Sequence, residues 1–178
     1  MKDIEKLSIL TKPYAGWTTL YVGTRDLAYL SFAKDVPVIL GNAILATLDT
    51  MLSKELTDED IPFFAPLYNR RNGVILTNLF GNICAIDSAP VGSDSYVSHL
   101  LFKPEVGARE AVIRMAYGLA NDIQRNLYDW VIWDVSLPEK AEEPELYEQA
   151  SANREQMLRD LVVSLRTKAE TAENQKEN

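Results

Sequence analysis

A chain of 178 residues, 47% hydrophobic and 25% charged, is long enough to bury a core unaided and too apolar to stay unfolded. Its net charge of −8 opposes phosphate backbones and anionic lipid surfaces, so general nucleic-acid binding and membrane binding are not expected. One cysteine, Cys84, excludes an intrachain disulfide, and with a single histidine, His99, it cannot build the usual zinc sites, so no cofactor is expected.

The lone thiol fits a reducing compartment. The opening segment, MKDIEKLSIL, mixes charges into a short apolar stretch and does not resemble a secretory signal. A cytoplasmic location is the expectation. Residues 7–11 suggest a short strand that ends before Pro13. Residues 18–23 (TTLYVG) and 26–32 (DLAYLSF) are β-branched and aromatic runs around Thr24-Arg25, the pattern of a hairpin.

A helix begins at Asp35, a good N-cap with Pro37 in the first turn. Val36, Leu40, Ile44, Leu48 and Leu52 recur every four residues, and Val38, Ile39, Ala43, Leu45 and Ala46 make the other side apolar too. Such a helix is expected to be buried nearly all round, across the sheet or inside a subunit interface. Its most apolar run is shorter than the roughly 20 residues of a membrane span.

Pro62 and Pro66 prevent a long helix over residues 56–71. The segment IPFFAPLY suits a helical turn or an edge strand and is assigned to a loop. Thr57 followed by Asp58-Glu59-Asp60 reads as a solvated capped turn, since it lacks the alternating ligands and glycine of a calcium loop.

A β-meander follows. Asn72-Gly73 and Gly81-Asn82 are tight-turn pairs around strands at 74–80 and 83–87. Residues 88–95 (SAPVGSDS) read as a loop and 96–102 as a further strand. A second helix, 104–127, presents Val106, Ile113, Tyr117, Ala120, Ile123 and Leu127 on one face. The apolar run 128–135 (YDWVIWDV) predicts a central strand.

The domain plan is thus a core over 1–137, an acidic linker over 138–144, a helix over 145–169 and a disordered tail over 170–178. The element order implies an α+β fold. It would have an antiparallel or mixed sheet of about six strands, two helices packed on it and a long C-terminal helix.

Chemistry-bearing residues are few. Cys84, Asp87 and His99 lie on strands expected to be neighbours, where an imidazole could activate the thiol; against this, ICAI is an apolar strand in which cysteine acts as a small hydrophobe. Ser93 and Ser95 precede His99 without a G-x-S-x-G, and the chain has neither GxxxxGK[ST] nor GxGxxG. Gly107 and Arg109 at a helix start could hold an anion, opposed by Glu105. Asp134 beside Trp133 could serve as a carboxylate in a pocket.

These signals favour an interaction protein over an enzyme. The expected partner surface combines the helix stripe Met157, Leu158, Leu161, Val162 and Leu165 with an edge at Phe63, Phe64 and Leu67 and the basic turn at Arg70 and Arg71. The partner is another protein or a second copy of the chain. The alternatives are a small enzyme or small-molecule binder around Cys84, His99 and Asp134, and an acidic inhibitor of a basic protein.

Overall fold

The computed structural model describes residues 9–22, 25–31, 34–68, 73–91, 95–102, 106–133 and 136–176. They form β1 (Trp17–Val22), β2 (Arg25–Ser31), α1 (Val36–Ser53), β3 (Phe64–Tyr68), β4 (Gly73–Leu79), β5 (Asn82–Val91), β6 (Ser95–Phe102), α2 (Ala108–Arg125), α3 (Leu127–Ile132) and α4 (Pro144–Lys176). The fold is α+β, with two antiparallel sheets in place of one sheet of six strands. Among the named strands, β1 and β2 pair with each other and form the smaller sheet. β3, β4, β5 and β6 pair in chain order.

Of the expected first strand, Leu7 and Ser8 lie outside the described residues. Leu10 and Thr11 do run along β1, with a bridge from Leu10 to Leu20 and a bond from Thr11 N–H to the Thr19 carbonyl at 3.0 Å.

β3 occupies the segment assigned to a loop. Ile61, Phe63, Ala65 and Leu67 are buried, while Pro62, Phe64, Pro66 and Tyr68 are exposed, a strict period of two. Proline concealed the strand. Pro66 has no N–H to donate, and β3 is the outer strand of its sheet, where such a gap costs no ladder bond. The β4–β5 turn is centred on Phe80 and Gly81, one residue before the expected pair, and both have positive φ (52° and 85°).

The apolar run 128–135 is not a central strand. Leu127–Ile132 is helical. Trp130 and Val131 turn inward while Tyr128 and Ile132 stay exposed, a helical spacing that a short aromatic-rich run disguises. Trp130 and Trp133 meet edge to face, with ring centroids 5.3 Å apart. Asp134 and Val135 lie outside the described residues.

α1 and α2 lie against the sheet through β3 and β5, and α4 lies across α1 and α2. α1 buries Val36, Leu40, Ile44, Leu48 and Met51 but leaves Asn42, Ala46 and Asp49 exposed, so it is covered along one side and not all round. By length and composition alone it would pass for a membrane span. At Gly41 a Cβ would stand 2.9 Å from Leu161 Cδ1, so α1 and α4 cross closely there and a larger residue would have to displace the Leu161 side chain. α2 is the more enclosed helix, burying eleven of its eighteen residues.

α4 does not end at residue 169. Leu158, Leu161, Val162, Leu165, Ala169 and Ala172 continue one buried stripe at spacings of three and four, and Glu173 accepts a bond from the Tyr117 hydroxyl at 3.1 Å. Alanine carries the burial onward with little hydrophobic signature, which is why residues 170–176 looked like a polar tail.

Two buried polar side chains tie these layers together. Asp122 on α2 accepts the backbone N–H groups of Ile9 and Leu10 at 2.7 and 2.8 Å through one oxygen. Arg154 on α4 donates to both Asp35 oxygens and, through Nε, to the Trp130 carbonyl at 3.0 Å. Asp35 stands at the N-cap of α1, but its side chain forms no cap bond; it faces Arg154 instead.

Candidate functional site

The register sets His99 opposite Asp87 and separates both from Cys84. Cys84 pairs with Thr77 of β4 and is buried, its Sγ 3.4 Å from the Asn82 carbonyl oxygen. β5 and β6 are neighbours as expected, but His99 stands opposite Asp87, while Ala85, next to Cys84, already pairs with Phe102. The register thus offsets the thiol and the histidine by about three residues, on the order of 10 Å along a strand. Ser95 opens β6, whereas Ser93, Arg70, Arg71 and Asp134 lie outside the described residues. Among the described residues, no three His, Cys, Asp or Glu side chains could hold one metal ion.

The start of α2, read as a possible anion site, is filled from within. Asp58 Oδ1 accepts the Arg109 N–H at 2.8 Å, and a Cβ on Gly107 would collide with Asp58 Oδ2. The carboxylate thus serves as a cap across 51 residues of sequence. Asn78 holds that acidic turn in place, donating to the carbonyls of Asp58 and Ile61 at 2.7 and 2.9 Å.

The expected partner surface divides in two. Leu158, Leu161, Val162 and Leu165 are buried by the chain itself, and of that stripe Met157 alone is exposed. Phe63, just before β3, and Leu67 on it fill the core. Phe64 and Tyr68, on the other face of the same strand, remain 56% and 48% exposed.

Cross-strand pairing extends that outer face. Phe64 stands opposite Thr77, Pro66 opposite Ile75, and Ile75 opposite Ile86. It is an apolar surface at the sheet's outer strand, bordered by Lys34 over the Tyr68 ring at 5.4 Å. Phe80 stands 87% exposed at the tip of the adjoining hairpin. The alternation that revealed this face was present in IPFFAPLY but was masked by its prolines.

A second concave feature lies beside α3. Residues 13–16, Asp129, Ile132 and Trp133 enclose a cleft of about 470 Å³. Tyr14 and Trp17 exchange both backbone hydrogen bonds at 2.9 Å across Ala15 and Gly16, whose φ angles of 49° and 82° are those of a type I′ turn. Tyr14 and Ile132 are exposed, and Lys12 stands 3.5 Å from Asp129 at the rim. The Trp133 indole N–H is buried and meets no acceptor among the described residues.

Comparison with models of known protein families, with curated proteins and with solved structures finds no match, so this geometry stands on its own.

Proposed function

We propose that the chain works by binding protein, and that the contact surface is the outer face of the four-stranded sheet. The observation that carries this reading is the pair Phe64 and Tyr68, exposed with Pro66 on one face of a strand whose other face, Ala65 and Leu67, is core. Burying aromatic side chains of that size is a main source of interface energy. Pro66 blunts the strand's open edge against β-addition, so the partner meets side chains and not backbone.

The partner we assign is a second copy of the chain. Two copies of net charge −8 repel each other, so association through an uncharged face tightens as salt is raised. An acidic inhibitor of a basic protein would show the opposite salt dependence. Sedimentation velocity over a wide concentration range, at low and high salt, tests this on the full chain and on the Phe64→Ser/Tyr68→Ser variant. The expected result is a dimer that salt strengthens and the double substitution abolishes. A monomer at every concentration, or a dimer indifferent to both substitutions, overturns it.

The cleft beside α3 supports a second reading, binding of a small apolar ligand. The supporting observation is the unsatisfied Trp133 N–H next to an aromatic-lined hollow. Saturable change in tryptophan fluorescence with phenol as probe, lost on Ile132→Asp, is the expected outcome; a linear response defeats it.

A further inference from the structure

We propose that the groove between α2 and α4 is a binding site for a small oxyanion, a phosphate group in particular. Tyr117, Asn121, Gln124 and Arg125 fall at helical spacings of four, three and one on α2, which brings them to one side of the helix. With Arg166 from α4 they line a hollow of about 470 Å³. The Tyr117 hydroxyl proton is already given to Glu173, while Gln124 and the two arginines present donors and the arginines carry a fixed positive charge.

The arginines are the telling part. Three of the described guanidinium groups find carboxylates, Arg154 meeting Asp35, Arg159 meeting Glu155 and Arg114 meeting Glu110, while Arg109 at the start of α2 makes no ion pair among the described residues. In a chain with 26 acidic residues against 18 basic ones, that is the default outcome. Arg125 and Arg166 depart from it. Neither makes an ion pair among the described residues, yet both line the same groove.

Arg166 instead donates to the neutral Asn121 Oδ1 at 2.7 Å, which fixes its planar fork without neutralising it. Glu173 hydrogen-bonds to the Tyr117 hydroxyl instead of to Arg166. Arg125 sits in the last turn of α2, where the helix carbonyls favour a cation.

Two guanidinium groups without an ion pair among the described residues, beside the neutral amide of Gln124, match a phosphate's several acceptor oxygens better than a halide's single charge. The groove is larger than phosphate alone, so it has room for the organic part of a small phosphomonoester. The net charge of the whole protein does not oppose this locally, because screening confines each charge to roughly 8 Å at physiological salt.

The test is titration of the full-length chain with inorganic phosphate, followed through the arginine Nε–H resonances, with sodium chloride at matched ionic strength as the control. The expected result is a saturable shift at Arg166 and Arg125 that chloride does not reproduce. Affinity should fall at least about tenfold, or 1.4 kcal/mol, in Arg125→Gln, and the shifts should persist in Arg159→Gln. Arg125 is exposed and makes no ion pair among the described residues, so its substitution leaves the fold intact. Acetate at the same ionic strength separates the sources of oxyanion: a stronger response to acetate than to phosphate assigns the groove to carboxylates and overturns the phosphate proposal. A linear response, a shift matched by chloride, or unchanged affinity in Arg125→Gln also overturns it.

Discussion

Arg154 and Asp35 are 119 residues apart in sequence, yet the guanidinium meets both carboxylate oxygens, at 2.7 and 3.1 Å. The two ends of this pair are not equivalent. The Arg154 side chain is 5% exposed and the Asp35 side chain 34% exposed. Losing Asp35 takes the carboxylate from a buried guanidinium that keeps its bond to the Trp130 carbonyl, whereas losing Arg154 leaves a carboxylate that water can reach. Asp35→Ala should therefore cost about 3 kcal/mol and Arg154→Met nearer 1 kcal/mol, read from urea unfolding. Equal costs, or the reverse order, would contradict the assignment.

Asp122 satisfies two backbone donors of the segment that precedes β1. In Asp122→Ala both amides are left buried without that acceptor. The expected loss is about 3 kcal/mol, with hydrogen exchange at Ile9 and Leu10 accelerating more than exchange within α2. Unchanged protection at those two amides would show that another group holds them.

The cap on α2 predicts coupling between distant positions. Asp58→Ala should cost about 1 kcal/mol, and Gly107→Ala a similar amount, because its Cβ displaces the Asp58 carboxylate. With Asp58 already gone, the Gly107 methyl meets less resistance. A double-mutant cycle should therefore give a combined cost below the sum; strict additivity would mean the two sites do not touch.

Phe80 holds a left-handed backbone conformation while 87% exposed. Asparagine adopts that region more readily, and Asn-Gly is the favoured pair for a type I′ turn. Phe80→Asn should stabilise the chain by about 1 kcal/mol, a rise of roughly 2 °C in Tm. A fall in Tm would show that the ring contributes contacts to the folded chain.

Cys84 is 2% exposed within β5. Its alkylation by iodoacetamide at neutral pH should proceed about a hundredfold more slowly in the native chain than in urea. Native-state reaction faster than that of a free thiol would restore the nucleophile reading.

Much of the fold was legible where local chemistry decides it. Strand propensity marked the first hairpin, tight-turn residues marked the meander, and four-residue spacing marked α1 and α2. The failures share one cause, which is that local pattern underdetermines the partner. The run YDWVIWDV fits a strand or a helix equally, and helical packing on α4 decides for α3. Ala169 and Ala172 gain their burial from α2 and α1 across the interface rather than from their own hydrophobicity. The ties made by Asp122 and Arg154, and the meeting of Arg125 with Arg166, depend on contacts between elements remote in sequence. No spacing along one element encodes them. Of the expected partner surface, Phe64 emerged on an open face because strand alternation put it there. The stripe of α4 looked available only because its cover, α1 and α2, comes from earlier in the chain.

α4 is also the last of the described elements to leave the ribosome. Until it emerges, the sides of α1 and α2 that receive Leu158, Leu161 and Leu165 stand open to water on the nascent chain, and Asp35 lacks its guanidinium. The earlier elements can form their hairpins and helices during synthesis, but the core cannot close until α4 docks. That step joins residues more than a hundred positions apart, the kind of non-local contact whose loop-closure entropy slows folding.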